Sequence, residues 1–267
     1  MKHKILQKGF SHVLLLLIGA GVTILIGIAL WANLRNDFLP TQNQLNSNQT
    51  RNEEKSKQAK SSESPDLDEP PLKLKSIGIN FEDFKFTKAK LQFGRLFMGY
   101  GFYIPAGNDN PAKYNPQPTF VVPLGTPVRA TVDGVVAAIP TLWSGDYSIQ
   151  VTENGKMEKW IYETEHLINP RVKVGDRVSA GQIVGEVSDF NHGAPAGFGT
   201  VEIGIGIGGN PPHHTCPFAY LDDSIKDETF AKMNALFRSW EEYTGDTALY
   251  DESVLIPGCL TLDLIKG

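Results

Sequence analysis

The chain has 267 residues, 41% of them hydrophobic and 10% aromatic, which allows one sizeable domain with accessory segments. Its net charge of -5 argues against nucleic acid as a partner, because nucleic-acid binding favours a basic stripe. The two cysteines, Cys216 and Cys259, are too few for a metal-finger pattern but can form one disulfide.

The first predicted element is an uncharged apolar segment that runs from Val13 to Ala32 and has the length of a helix crossing a bilayer. Lys2, Lys4 and Lys8 precede it, so the positive-inside bias places residues 1–12 in the cytoplasm. A cleaved signal peptide is the alternative, although the apolar run is long for one. Both interpretations export the rest of the chain. We expect a single-pass protein of the cell membrane with an extracytoplasmic C-terminal domain.

Residues 33–75 differ sharply in composition from the segments on either side. They are rich in Gln, Asn, Ser, Lys and Glu, and they offer almost nothing apolar to bury. Such a segment cannot offset its ordering entropy. We therefore predict a disordered linker that holds the following domain away from the bilayer.

Residues 76–221 are predicted to form a mostly-β domain, a sandwich or barrel-like antiparallel sheet, because short apolar runs recur between turn residues. Asp133-Gly134 indicates a tight hairpin. The segment 200–207 alternates strictly, so one face carries isoleucines and Val201. The other face carries Thr200, Glu202, Gly204 and Gly206.

Residues 222–267 are predicted to add a helix followed by one or two strands. Ser224 is the predicted N-cap, with Asp227 three residues later. Apolar residues then recur at helical spacing. They are Phe230, Met233, Leu236, Phe237 and Trp240.

The order of motifs from Asn115 to Leu221 resembles that of the lysostaphin/LytM-type zinc metallopeptidases. Residues 125–136 read GTPVRATVDGVV and residues 172–187 read VKVGDRVSAGQIVGEV, followed by the strand TVEIGIGI and then CPFAYL. The second motif alone also occurs in lipoyl and biotinyl carrier domains, but their hairpin lysine motif is missing here. The resemblance implies the scaffold of a cell-wall endopeptidase, with a groove across a β-sheet.

The zinc ligands of that family are replaced at the matching positions. The family carries His-x-x-x-Asp before the GTPV turn and His-x-His on the later strand. Here Asn115 and Thr119 match the first pair, and Thr200 and Glu202 match the second. Only His166, in Glu-His-Leu, is retained, at the position of the histidine in the family's Tyr-x-His-Leu motif. An amide, a hydroxyl and one carboxylate are a poor zinc site, because zinc favours imidazole and thiolate.

We therefore expect a catalytically inactive, peptidase-like domain that binds cell-envelope material such as peptidoglycan, or a partner protein. The predicted groove residues are Asn115, Thr119, His166, Thr200 and Glu202. No metal and no cofactor are expected in this interpretation.

The alternative is an active, divergent zinc metalloendopeptidase acting on cell-wall peptides. Its catalytic residues would be His166 and Glu202, aided by His192 or His214. A different metal site could also form from His192, His214 and Cys216, although their spacing matches no strong pattern. Pairing of Cys216 with Cys259 is favoured, because disulfides persist outside the cytoplasm.

Overall fold

The computed structural model describes residues 68–84, 94–107, 111–190 and 196–267, all within one unit, Ser64–Gly267. The predicted cytoplasmic segment and the predicted anchor lie outside these residues. Within them, no helix has the length and apolar character needed to cross a membrane. Residues 68–75, predicted as linker, instead join the folded domain. The reason is that Leu74 is buried and its N–H donates to the carbonyl of Tyr220.

The described residues form mainly antiparallel β-structure with one C-terminal α-helix, as the sequence predicts. The strands are β1 (Phe97–Met98), β2 (Tyr103–Ile104), β3 (Lys113–Tyr114), β4 (Thr119–Pro123), β5 (Pro127–Arg129), β6 (Gly134–Ala138), β7 (Tyr147–Thr152), β8 (Trp160–Ile168), β9 (Arg177–Val178), β10 (Ile183–Val187), β11 (Phe198–Ile207), β12 (His213–Thr215) and β13 (Ile265–Lys266). The α-helix, α1, spans Asp223–Thr244, and 3-10 helices span Phe81–Asp83 and Pro217–Tyr220.

The main sheet has the strand order β1-β4-β11-β8-β7-β6-β9, with β10 paired to β5 and β8 and with β12 paired to β11 and β13. The predicted hairpin at Asp133-Gly134 is wrong, because β5 pairs with β10 whereas β6 pairs with β7 and β9. Gly134 has a different function. A Cβ there would lie 2.6 Å from both the Thr152 carbonyl and the Val151 side chain, so only glycine allows β6 to approach β7 this closely.

The predicted alternation of β11 is confirmed. Val201, Ile203 and Ile205 are completely buried in the hydrophobic core, and Ile207 is nearly so. Burial of each such branched side chain stabilises the fold by about 2 kcal/mol. This anchoring fixes the register of β11 and leaves Thr200 and Glu202 on its opposite face.

Helix α1 packs the predicted apolar residues against the sheet, since Met233, Leu236, Phe237 and Trp240 are buried. Its predicted start at Ser224 is wrong by two positions. Asp222 is the N-cap, because its carboxylate accepts the Ser224 N–H at 3.0 Å and Ser224 already lies in the first turn.

The predicted disulfide is confirmed: Cys216 and Cys259 are bonded, with their Cα atoms 5.9 Å apart. Cys216 follows β12 and Cys259 lies in the C-terminal segment, next to Tyr100 in an isolated bridge. The Tyr100 hydroxyl lies 2.6 Å from the His214 carbonyl and 2.7 Å from the Asp263 carbonyl. The disulfide therefore reinforces a hydrogen-bonded attachment of the C-terminal segment to the sheet.

Replacing both cysteines by alanine is expected to lower the free energy of unfolding by about 4 kcal/mol. The estimate comes from the chain-entropy model applied to the separation of 43 residues. Urea unfolding of the full-length chain in detergent measures the change. A reducing agent should destabilise the wild-type chain and leave the double variant unaffected. A wild-type unfolding midpoint that does not respond to reduction would contradict this prediction.

Candidate functional site

The candidate site lies on the face of the sheet opposite the core. Residues paired across antiparallel strands share a face. The register places Thr119, Glu202, Glu165 and Ser148 in one row across β4, β11, β8 and β7. This row of polar side chains lies where the family resemblance places the floor of a groove.

A β-bulge at His166 changes the direction of the side chains in this row. The pairing of β7 with β8 shifts by one residue at this point, and His166 has φ of 64°, which is unusual for a residue other than glycine. A regular strand would point Glu165 and His166 to opposite faces. With the bulge, ligand atoms of Glu165, His166 and Glu202 all lie within 4.8 Å of one another.

Hydrogen bonds fix the imidazole of His166 in the groove. Its Nδ1 lies 3.1 Å from the Asp146 carboxylate, which also accepts hydrogen bonds from Ser144 and Ser188. A carboxylate is an acceptor, so Nδ1 carries the proton and Nε2 has a free lone pair. Nε2 lies 3.9 Å from Glu202 Oε2. Burial lowers the pKa of His166 and favours this neutral form, against the attraction of Asp146.

The residues at the family's zinc positions are hydrogen-bonded to one another. Asn115 is buried, and its Nδ2 donates to the carbonyls of Met98 and Gly99 at 3.4 and 3.3 Å. The same Nδ2 lies 3.4 Å from Thr119 Oγ1, which is 3.3 Å from Glu202 Oε1. The structure thus brings three of the five predicted groove residues into one hydrogen-bonded chain.

The remaining two predicted groove residues differ in their surroundings. His166 lies next to this hydrogen-bonded chain, with its Nε2 3.9 Å from Glu202 Oε2. Thr200 is buried on the same strand, and its hydroxyl makes no hydrogen bond to any residue that the structure describes.

The carboxylates in the groove are strongly perturbed. Burial raises the pKa of Glu165 to about 8, and repulsion from Glu163 and Glu202 adds to the rise. Burial also raises the pKa of Glu202 to about 7, although the hydrogen bond from Thr119 opposes the change. Both carboxyl groups therefore titrate near neutral pH rather than in the acidic range that is usual for glutamate.

Glu165 and Asp146 are part of the site but were not predicted from the sequence. Glu165 precedes His166 directly, so strand alternation gives no reason to place both in one groove, and only the bulge does so. Asp146 lies at the end of a loop, and its contact with His166 depends on the fold of that loop. In sequence, the signal for Glu165 is its position beside the one retained family histidine.

The suggested metal site of His192, His214 and Cys216 is wrong. Cys216 is bonded to Cys259. His214 Nε2 instead lies 2.8 Å from Glu163 Oε1, and both side chains are buried. His192 lies outside the described residues.

Part of the chain is similar in sequence to known peptidases. Residues 118–200 match Peptidase family M23. Over 88 residues the chain is 43% identical to the glycyl-glycine endopeptidase ALE-1 of Staphylococcus capitis, a match that covers 33% of this chain and 23% of that protein. The resemblance of this part of the chain to the lysostaphin/LytM type is therefore confirmed. The match spans about a quarter of the length of this relative.

Two solved structures overlap with the chain at 25% identity and a TM-score of 0.34. One is the catalytic domain of the prophage-encoded M23 protein EnpA from Enterococcus faecalis, with 45% of this chain and 88% of that chain covered. The other is the catalytic domain of lysostaphin from Staphylococcus simulans, with 46% and 89% covered. The resemblance to the lysostaphin/LytM type is supported by the sequence matches and not by this overlap.

The residues at the family's zinc positions do not fit a zinc ion. Asn115 directs its Nδ2, which is a donor, at two backbone carbonyls and at Thr119. Thr119 offers a neutral hydroxyl that is already hydrogen-bonded, and Glu202 is the one anionic ligand of the three. Zinc sites in proteins use imidazole, thiolate and carboxylate ligands, so this set is deficient.

Replacing Glu165 and Glu202 by glutamine is expected to flatten the pH dependence of stability. Both folded-state pKa values are raised from 4.5, to about 8 and about 7, so the unfolded chain loses these protons first as the pH rises. Their contribution to stability is complete below about pH 4.5 and is lost as the pH rises through these folded-state values.

Urea unfolding of the wild type and of the double variant across this pH range measures the effect. The lowered pKa of His166 acts in the opposite direction but is common to both chains, so their difference reports the two glutamates. An equal pH slope in the two chains would show that Glu165 and Glu202 do not titrate in this way.

Proposed function

We propose that this protein is a membrane-anchored, catalytically inactive member of its family whose groove binds cell-envelope peptides or a partner protein. The observation that carries the proposal is the hydrogen-bonded chain Asn115–Thr119–Glu202 at the zinc positions. Peptide hydrolysis by a zinc enzyme needs an ion that polarises the carbonyl and activates water. Side chains already bonded to one another and to backbone offer no such centre at this position.

Exposed aromatic side chains support a binding role for the groove. Trp143 is 88% exposed and contacts Phe190, whose ring stacks on His166. Tyr103 and Tyr114 pair on the β2–β3 hairpin with ring centroids 5.6 Å apart, and both are exposed. Such rings supply large contact areas with little loss of entropy. Together with the polar floor of the groove, they suit an extended peptide.

An extracytoplasmic position is part of the proposal. The predicted anchor from Val13 to Ala32 would tether the domain to the membrane. The bond between Cys216 and Cys259 supports export, because disulfides form and persist in oxidising compartments.

We expect the full-length chain to leave oligoglycine peptides and peptidoglycan uncleaved, with or without added zinc. We also expect it to co-sediment with peptidoglycan. Oligoglycine is the appropriate substrate because the relative is a glycyl-glycine endopeptidase. Trp143→Ala and Tyr114→Ala should each weaken binding several-fold, since the loss of a buried aromatic contact costs about 1 kcal/mol. Leu255→Ala is the matched control, because Leu255 is 90% exposed but lies in the C-terminal segment.

An active, divergent zinc metalloendopeptidase is the second candidate, and the proximity of Glu165, His166 and Glu202 favours it. This candidate predicts zinc-dependent cleavage of the same substrates, abolished by Glu165→Gln and by His166→Gln. Cleavage with that dependence would overturn the non-catalytic proposal.

A further inference from the structure

The cluster of Glu165, His166 and Glu202 has the dimensions of a metal site. Their ligand atoms, two carboxylate oxygens and one imidazole nitrogen, lie within 4.8 Å of one another. Metal–ligand distances of about 2.1 Å separate the ligands of a tetrahedral ion by roughly 3.4 Å. Small side-chain rotations therefore suffice to close the cluster around one ion.

The hydrogen bonding of His166 is typical of a metal ligand. Metal-binding histidines donate the proton on their other ring nitrogen to a carboxylate or carbonyl, which fixes the tautomer and the orientation of the ring. Asp146 accepts this proton at 3.1 Å and is itself held by Ser144 and Ser188. This arrangement presents the unprotonated Nε2 on the side of Glu202.

The charges around the cluster are not balanced. Glu165 and Glu202 are directly opposite each other on β8 and β11, an arrangement that is unfavourable for like charges. Among the described residues neither forms an ion pair with Lys or Arg, and Lys113 attracts Glu202 only from beyond ion-pair distance. The neighbouring Glu163, in contrast, is paired with His214.

We propose that the groove binds one divalent transition-metal ion through Glu165, His166 and Glu202. The site lies on the other side of β11 from the family's position, because β8 supplies the two ligands that would otherwise come from Asn115 and from Thr119 of β4. A single imidazole with two carboxylates suits zinc or manganese, whereas calcium and magnesium take oxygen ligands. Three protein ligands leave room for water or for a group of a bound peptide.

Calorimetric titration of the chelator-stripped, full-length chain with zinc chloride tests this site. We expect the wild-type chain to bind one zinc ion, and we expect Glu165→Gln and His166→Gln to lose this binding. X-ray absorption of the zinc-loaded chain should show nitrogen and oxygen ligands without sulfur. Asp146→Asn keeps all three ligands but removes the acceptor that orients His166, so it should weaken affinity by about 10- to 100-fold.

Thr119→Val is the matched control. Thr119 lies in the same row of side chains as the cluster, but it matches a zinc ligand of the family and is not a ligand of the proposed site. This variant should still bind one zinc ion. Far-ultraviolet circular dichroism and urea unfolding verify that each variant is folded. Zinc that binds instead to the exposed His213 can be distinguished from zinc at the proposed site, because it would remain bound in Glu165→Gln.

Three results would overturn the proposed ion site. They are a wild-type chain that binds no zinc, a folded Glu165→Gln chain that binds zinc as tightly as wild type, and a Thr119→Val chain that loses zinc to the same extent as Glu165→Gln. The proposed ion site and the proposed lack of catalysis can be refuted separately. A chain that binds no zinc would refute only the ion site. Peptide cleavage by the zinc-loaded chain would refute only the proposal that the protein is catalytically inactive.

Discussion

The β-bulge at His166 determines which side chains share the groove, and the rest of the candidate site depends on it. The core-facing isoleucines of β11 fix that strand, so Glu202 cannot change faces without exposing them. Only the extra residue in β8 brings Glu165 and His166 together beside Glu202. The left-handed backbone of His166 costs conformational energy, and the surrounding sheet must supply it.

Hydrogen bonds on both sides of the bulge hold this conformation in place. The N–H of Ser188 donates to the His166 carbonyl at 3.0 Å, and the imidazole is fixed by Asp146. Ser188 also donates its hydroxyl to Asp146, so one residue of the chain after β10 supports both the backbone and the side chain of His166. The position of the imidazole is thus determined by the fold, before any ligand binds.

The sequence predicted the features that depend on local periodicity or on a single pairing. The two faces of β11 follow from alternation, and the disulfide follows from the presence of two cysteines in a domain that the sequence predicts to be exported. The non-local features could not be predicted in this way. Asp133-Gly134 has the composition of a hairpin turn, but Gly134 serves the close approach of β6 to β7. Glu165 joins the site only because a bulge, which leaves no periodic signal, interrupts β8.

Loss of the family's zinc ligands and loss of metal binding are therefore separate questions in this groove. The replacements at Asn115 and Thr119 satisfy one another by hydrogen bonding, which stabilises that part of the groove without an ion. The same replacements leave Glu202 close to a second carboxylate and to an oriented imidazole. A glutamate side chain has one more rotatable bond than the histidine side chain of the family at this position, so Glu202 can reach toward β4 or toward β8. The occupant of the groove, whether proton, ion or peptide, decides which of these contacts Glu202 makes.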